Sequence, residues 1–311
     1  MLVLRGLDSP DDKPLALTIG NFDGMHLGHQ ALLDQLQAEA GSAGLASAAM
    51  IFEPHPREFF SPHQAPARLT SLREKLELFA ARDLNRVYAC RFDWSFAALS
   101  AADFIFSLHR NLHVKFVLIG DDFRFGKGRS GDLALIRKMG LELGFAVKSM
   151  PSILMDGERI SSTSVRTVLA QGDLQTACRY LGRPYRISGR VVHGAGLGKG
   201  LGFPTANIQL KHNFPPLSGI FVVQMQGDGL PPTLGAASLG VRPTVLPLGK
   251  PVLEVHLPGY SGDLYGRHVC VDFLHKLRDE QKYPDLEALR QQIARDVEEA
   301  GRWSGENGRT T

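Results

Sequence analysis

Between Leu15 and Met150, short apolar runs alternate with segments whose apolar residues recur at helical spacing. This alternation constrains the fold more than any other feature of the chain. LALTIG (15 to 20), SAAMIFEP (47 to 54), RVYAC (86 to 90), KFVLIG (115 to 120) and FAVKSM (145 to 150) read as strands. Helices are predicted from the spacing of Leu32, Leu33, Leu36 and Ala40, and over 72–80, 101–110 and 133–144. Strands joined through helices imply a parallel sheet with helices on its faces, so the first half is predicted to be α/β.

The pattern changes after GDLQTACRYLGRP (172 to 184). From Tyr185 to Leu274 the segments are short, β-like and separated by Gly and Pro: YRISGRVVH, GIFVVQM, TLGAASLG, PVLEVHL and HVCVDFL. Such spacing predicts a small barrel or sandwich. Leu286, Leu289, Ile293 and Val297 then form one apolar stripe, the mark of a closing helix. With 311 residues the chain has room for about two domains. The boundary is expected near residues 182 to 186, giving domains 1–183 and 184–311. Neither a low-complexity linker nor an internal repeat is present.

Composition narrows the function classes. Hydrophobic residues make up 43% of the chain, enough for a sizeable core. Lys and Arg number 35 against 32 Asp and Glu, and no basic run occurs. That balance argues against a nucleic-acid binder and is compatible with small anionic substrates. Cys90, Cys178 and Cys270 lie far apart without CxxC spacing, which argues against a disulfide framework or cysteine-based zinc site. The N-terminal stretch lacks a signal-peptide pattern and no apolar run is long enough to span a bilayer. The expectation is a cytoplasmic protein with no membrane partner; its oligomeric state is not legible.

GNFDGMHLGHQALL (20 to 33) carries the first chemistry. His26 and His29 lie three apart where a helix begins just beyond an apolar strand. Two histidines can bind metal if further ligands converge, but HLGH lacks the glutamate and four-residue spacing of a zinc-protease helix. They can equally pack in a core. The local grammar favours phosphate: a strand ends at Gly20, while Gly24 and Gly28 allow close backbone approach, and a helix N-terminus offers unsatisfied N–H groups and partial positive charge. Open α/β sheets place ligands at this end of their strands.

GNFDGMHLGH resembles the GxFDGxHxGH signature of the nucleotidyltransferase module in prokaryotic bifunctional riboflavin kinase/FAD synthetases. FEPHPREFF (52 to 60), RLTSLREKLELF (68 to 79), IGDDFRFGKGRSGD (119 to 132) and ISSTSVR (160 to 166) follow in that family's order, and with the second half the resemblance covers nearly the whole chain. It implies a Rossmann-like nucleotidyltransferase domain followed by a small antiparallel β-barrel riboflavin kinase domain with a terminal helix. The implied reactions are phosphorylation of riboflavin to FMN and adenylylation of FMN to FAD, each using ATP with Mg²⁺.

The resemblance also suggests roles for individual residues. Gly20, Asn21, Phe22, Asp23 and Gly24 would hold ATP phosphates, with His26 and His29 stabilising the leaving group. Ser162 and Thr163 would cap a helix and join Arg166 in binding the triphosphate, although an ordinary capped helix with a solvated arginine fits the same residues. Glu53 and His55 are expected near the flavin. So are Asp122, Phe123 and Phe125, whose two rings could alternatively be core.

In the second half, HGAGLGKGLGFPTANI (193 to 208) lacks the G-x-G-x-x-G spacing of a dinucleotide fingerprint. A glycine flap over phosphates, formed by Gly196, Gly198, Lys199 and Gly200, or a plain surface loop would suit it. GFPTAN resembles the PTAN motif of riboflavin kinases, which gives Thr205 and Asn207 the binding of magnesium and ATP phosphate. In LEVHL, Glu254 and His256 share one strand face and Leu253, Val255 and Leu257 the other. Glu254 matches the family's general base, and Arg278 is the candidate flavin contact in LHKLRDEQKYPD (274 to 285).

Overall fold

The structure, a computed structural model, describes residues 1–7, 12–194, 197–211, 214–241 and 251–307. These form two compact units, one of Met1–Pro66 with Leu72–Ser161 and the other of Ala67–Ser71 with Ser162–Thr311.

The first unit is built on six parallel strands: β1 (Leu2–Arg5), β2 (Leu15–Ile19), β3 (Ala46–Glu53), β4 (Arg86–Arg91), β5 (Val114–Gly120) and β6 (Ala146–Met150). Their spatial order is β1-β4-β3-β2-β5-β6. From β2 the chain steps outward to β3 and β4, then crosses to the other side of β2 to form β5. The carboxyl ends of β2 and β5 therefore flank a topological switch point, where sheets of this kind open a crevice.

Helices α1 (Leu27–Ala43), α2 (Pro56–Phe60), α3 (Leu72–Ala80), α4 (Trp94–Ala97), α5 (Ala101–Leu112) and α6 (Leu133–Leu143) alternate with the strands. Strand residues point alternately to the two faces and build two cores. Leu15, Leu17, Ile19 and Met50 pack with Phe104, Leu108 and Ile136, and so meet α5 and α6. Ala16, Ala49, Ile51 and Leu118 pack with Leu33, Leu36 and Phe79, and so meet α1 and α3. A two-stranded hairpin, β7 (Leu154–Met155) and β8 (Glu158–Arg159), follows.

The second unit begins with α7 (Ser162–Ala170) and α8 (Leu174–Leu181). Next come β9 (Tyr185–Val192), the one-turn α9 (Leu197–Gly200), β10 (Thr205–Gln209), β11 (Gly219–Gly227), β12 (Leu230–Val241), β13 (Pro251–His256) and β14 (His268–Arg278). The strands close an antiparallel barrel in the order β10-β13-β12-β11-β14-β9. On β11, Phe221, Val223 and Met225 form one buried row, while Val222 faces the opposite way beneath α10 (Leu286–Asn307). Val222 and Ala236 meet Ala300, with Val297 and Trp303 packed against them. The parallel α/β sheet, the antiparallel barrel and the terminal helix are those expected. β1, four residues long and partly exposed, was not.

Candidate active sites

In the first unit, the chain leaves β2 at Gly20 and turns sharply into α1. Phe22, Gly24 and Met25 all adopt positive φ, and Phe22 and Met25 are fully buried. A non-glycine residue at positive φ is uncommon, and two in four residues mark a turn held in place by its packing. His26 is the N-cap of α1 and makes no side-chain cap bond. Its ring stacks on His29 with centroids 3.7 Å apart, and His29 in turn leans on Phe22 at 5.0 Å. A Cβ on Gly28 would crowd the His26 ring at 3.1 Å, so the small residue between the histidines leaves room for their stacking.

His29 is shut in by its neighbours. Burial, then the His26 ring and the Lys75 ammonium, hold its pKa well below the usual 6.5, leaving a neutral imidazole at neutral pH. Its Nδ1 and Asn21 Oδ1 are closed off from water and have no hydrogen-bond partner among the described residues. Buried polar atoms in that state are commonly completed by a water or a ligand. Asp23 is buried beside them.

The other groups expected in the first unit follow β3 and β5. Glu53 ends β3, with Lys75 Nζ 3.5 Å from its carboxylate. Lys75 itself is only 3% exposed, and sequence reasoning passed over it. The available signal was a lysine set within the apolar stripe Leu72, Leu76 and Phe79. His55 caps α2: its Nδ1 accepts the Arg57 N–H at 3.1 Å and its own N–H donates to Glu58. Beyond it, Phe59, Phe60, Phe92 and Trp94 meet edge to face, with Trp94 71% exposed. After β5, Asp122 is ion-paired with Arg159. The Phe123 and Phe125 rings stack at 5.5 Å, Phe125 buried in the core and Phe123 half-buried.

In the second unit, Ser162 opens α7, Thr163 is exposed, and Arg166 Nε donates to the Ala67 carbonyl at 2.5 Å. On the barrel, strand register does the positioning. Asn207 of β10 lies opposite Glu254 of β13, and Thr205 lies opposite His256. Asn207 is buried, and the Gly194 backbone comes so close that a Cβ there would fall 2.3 Å from the Asn207 amide nitrogen. Gly198 accepts the Phe203 N–H at 2.8 Å, folding the glycine-rich turn back onto the start of β10. Lys199 and Gly200 belong to that same turn, α9; Gly196 lies outside the described residues. Arg278, at the end of β14, makes two hydrogen bonds to Asp296 of α10, at 2.8 and 2.6 Å.

Thr205 and Asn207 present neutral oxygens, and Glu254 faces Asn207. Hard oxygen donors of this kind fit Mg²⁺ that is also held by substrate phosphates. Among the described residues no group of three or more His, Cys, Asp or Glu could hold a metal ion, and no helix is long and apolar enough to cross a membrane.

A doubly wound α/β unit with a histidine-bearing turn at its switch point, followed by a barrel with a Thr-Ala-Asn strand and a facing carboxylate, defines a two-domain transferase class. Family models match residues 8–164 as FAD synthetase and 181–304 as riboflavin kinase. The bifunctional riboflavin kinase/FMN adenylyltransferase of Escherichia coli K12 is 48% identical over 300 residues, covering 95% of this chain and 96% of the relative. That of Pseudomonas fluorescens is 45% identical, covering 96% of each. The chain belongs to the bifunctional riboflavin kinase/FMN adenylyltransferase family. A Streptococcus pneumoniae crystal structure titled a macrolide-efflux protein aligns with a TM-score of 0.82 at 26% identity, covering 97% of this chain and 99% of that one. That name belongs to the aligned protein, and the family assignment rests on the sequences of higher identity.

Proposed function

We propose that the chain makes FAD from riboflavin in two ATP-dependent steps, phosphoryl transfer on residues 184–311 and adenylyl transfer on residues 1–183. The family models, matched at 181–304 and 8–164, support that division.

In the kinase step, the riboflavin 5′-hydroxyl gives its proton to the Glu254 carboxylate as its oxygen attacks the γ-phosphorus of ATP, and ADP leaves. The nucleophile is a neutral hydroxyl, so a base is of use. Thr205 and Asn207 would hold Mg²⁺, which when bound neutralises phosphate charge. The backbone of Gly198 and Gly200 offers N–H groups to the phosphates, and Arg278 borders the flavin.

In the second step, a phosphate oxygen of FMN attacks the α-phosphorus of ATP and pyrophosphate leaves. FMN phosphate is already an anion, so positioning and charge stabilisation dominate. Gly20 to Gly24 offer backbone N–H groups to those phosphates. Because burial keeps His29 neutral, it acts as an N–H donor to the leaving oxygens and not as a fixed charge. Flat, exposed rings beside His55 suit an isoalloxazine face, as does the half-buried Phe123, which the core residue Phe125 backs, with Glu53 and Asp122 at the polar edge. We place the reactions in the cytoplasm, where the three free cysteines stay reduced.

The observation that carries this reading is the register that sets Glu254 against Asn207, in a chain whose relatives are named for both activities. Incubation with riboflavin, ATP and Mg²⁺ followed by product separation tests it. FMN and FAD together are expected; FMN alone confines activity to the barrel, and neither product ends the proposal.

A further inference from the structure

His256 has no task in the kinase step described. It stands on the last rung of the ladder between β10 and β13, directly opposite Thr205 and two residues beyond the pair of Asn207 and Glu254. Opposed side chains share one face of a sheet, with Cβ atoms about 4.5–5.5 Å apart. The His256 side chain therefore starts beside Thr205, and it reaches out of the ladder to the residues just before β10. Its Nδ1 is 2.8 Å from the Pro204 carbonyl oxygen, and its ring meets Phe203 edge to face with centroids 5.5 Å apart. A carbonyl oxygen only accepts, so Nδ1 carries the hydrogen.

That bond fixes the entry to β10. The proline ring sets φ at 204, which leaves ψ as the soft torsion there. ψ turns the peptide plane that carries the Pro204 oxygen and the Thr205 nitrogen. Holding the oxygen holds the plane, and with it the direction in which Thr205 sets out. The glycine-rich turn α9 packs on the same residues. The Phe203 N–H donates to the Gly198 carbonyl at 2.8 Å. A Cβ on Gly198 would fall 2.4 Å from the Phe203 oxygen and 3.3 Å from the Thr205 hydroxyl oxygen.

We propose that His256 is a positioning residue for phosphoryl transfer: through the Pro204 carbonyl and the Phe203 ring it fixes where the Thr205 hydroxyl stands against the ATP phosphates and their Mg²⁺. The inference rests on the reading of Thr205 as part of the Mg·ATP site. Nδ1 donates in the neutral ring and in the charged one alike, so no titration is involved.

The test compares three substitutions of His256 in the full chain. His256→Asn keeps a donor in place, since its Nδ2 is as many bonds from Cα as the histidine Nδ1. His256→Phe keeps a ring against Phe203 and loses the donor; His256→Leu repeats that loss with a smaller side chain. In protein free of metal and nucleotide, amide hydrogen exchange over residues 198–207 is expected to quicken about threefold to tenfold in the Phe and Leu variants. It should stay native in His256→Asn. Initial rates of riboflavin phosphorylation at a fixed pH should show the KM for Mg·ATP raised about tenfold in the same two variants, as for other residues that orient a metal ligand. The Asn variant should restore it, and an unchanged riboflavin KM throughout reports a folded barrel. Native exchange or a native Mg·ATP KM in both donorless variants overturns the inference, as does an Asn variant no better than they are. Thr205→Val tells the two failures apart. A raised Mg·ATP KM there, beside native donorless variants, leaves the site reading standing while the inference falls. A native Mg·ATP KM in Thr205→Val removes the site reading and the inference together.

Discussion

Replacing Arg278 with Met separates two roles for that residue, a flavin contact and a clamp on the terminal helix. Its guanidinium makes paired bonds to Asp296 at 2.8 and 2.6 Å, and the two side chains are 18% and 6% exposed. Without it, the Asp296 carboxylate keeps one donor, Gln292 Nε2 at 2.9 Å, in a place that water barely reaches. Breaking a buried ion pair from one side costs about 3–5 kcal/mol, and the partial exposure of Arg278 puts this case near the lower end. With a urea dependence of about 2 kcal/mol per molar for a unit of this size, the unfolding midpoint of the barrel should fall by about 1.5 M. Trp94 and Trp303 are the only tryptophans, so a Trp94→Phe background leaves Trp303, on α10, as sole reporter. Arg278→Met/Asp296→Leu should recover most of the loss, since a well-packed apolar pair can replace a buried ion pair at little cost. A shift below about 0.3 M in the single variant, or no recovery in the double, would refute the clamp. If the double variant is stable yet binds riboflavin poorly, Arg278 is also a flavin contact.

His29→Ala should cut FAD formation by about 10²–10³ in rate while FMN formation continues, and equal loss of both would indicate misfolding instead. Glu254→Gln should slow FMN formation by about 10²–10⁴ with adenylylation intact, as read by product chromatography. Gly194→Ala pushes a methyl group into the Asn207 amide and should weaken Mg²⁺-dependent ATP use by the kinase by about tenfold; an unchanged metal titration would count against Asn207 as a ligand. The first unit should also lose stability in acid. His29 has its folded pKa depressed, so the unfolded chain binds the proton first; its contribution is fully present above 6.5 and is lost as pH falls from there toward the folded value. Urea titrations from pH 7 to 5 should show that slope in the native chain and a flatter one in His29→Gln.

In the first unit β2 to β6 and the helices α1, α3, α5 and α6 were legible because each carries its own apolar period, whereas the short α2 and α4 and the β7–β8 hairpin carry none. β1 was not legible either: LVLR is short and half open to solvent, and only its parallel pairing with β4 defines it. The outward face of β13 was legible for the same reason as the helices, since Leu253 and Val255 alternate with Glu254 and His256. What Glu254 faces was not, because register across β12 and β13 depends on loop geometry that residue types do not encode. Lys75 looks like a solvated charge in LREK, and its burial against Glu53 follows from the packing of α3 on the sheet. Arg278 was singled out only as a flavin contact; its pairing with Asp296 was not legible, since the two are joined only when α10 lies down on the barrel. The histidine-bearing turn was the exception, since its glycines, strand and helix start are contiguous.

The closed barrel has a consequence in time. β9 pairs on one side with β10 and on the other with β14, so that Arg190 lies between Gln209 and His268. The second pairing joins residues nearly eighty positions apart, and the loop entropy of such a contact must be met before its burial is gained. During synthesis β9 to β13 therefore wait, with their apolar rows uncovered, until β14 arrives. The α/β unit needs nothing beyond Met150 to complete its sheet, so it can fold first while the barrel closes last, in one cooperative step.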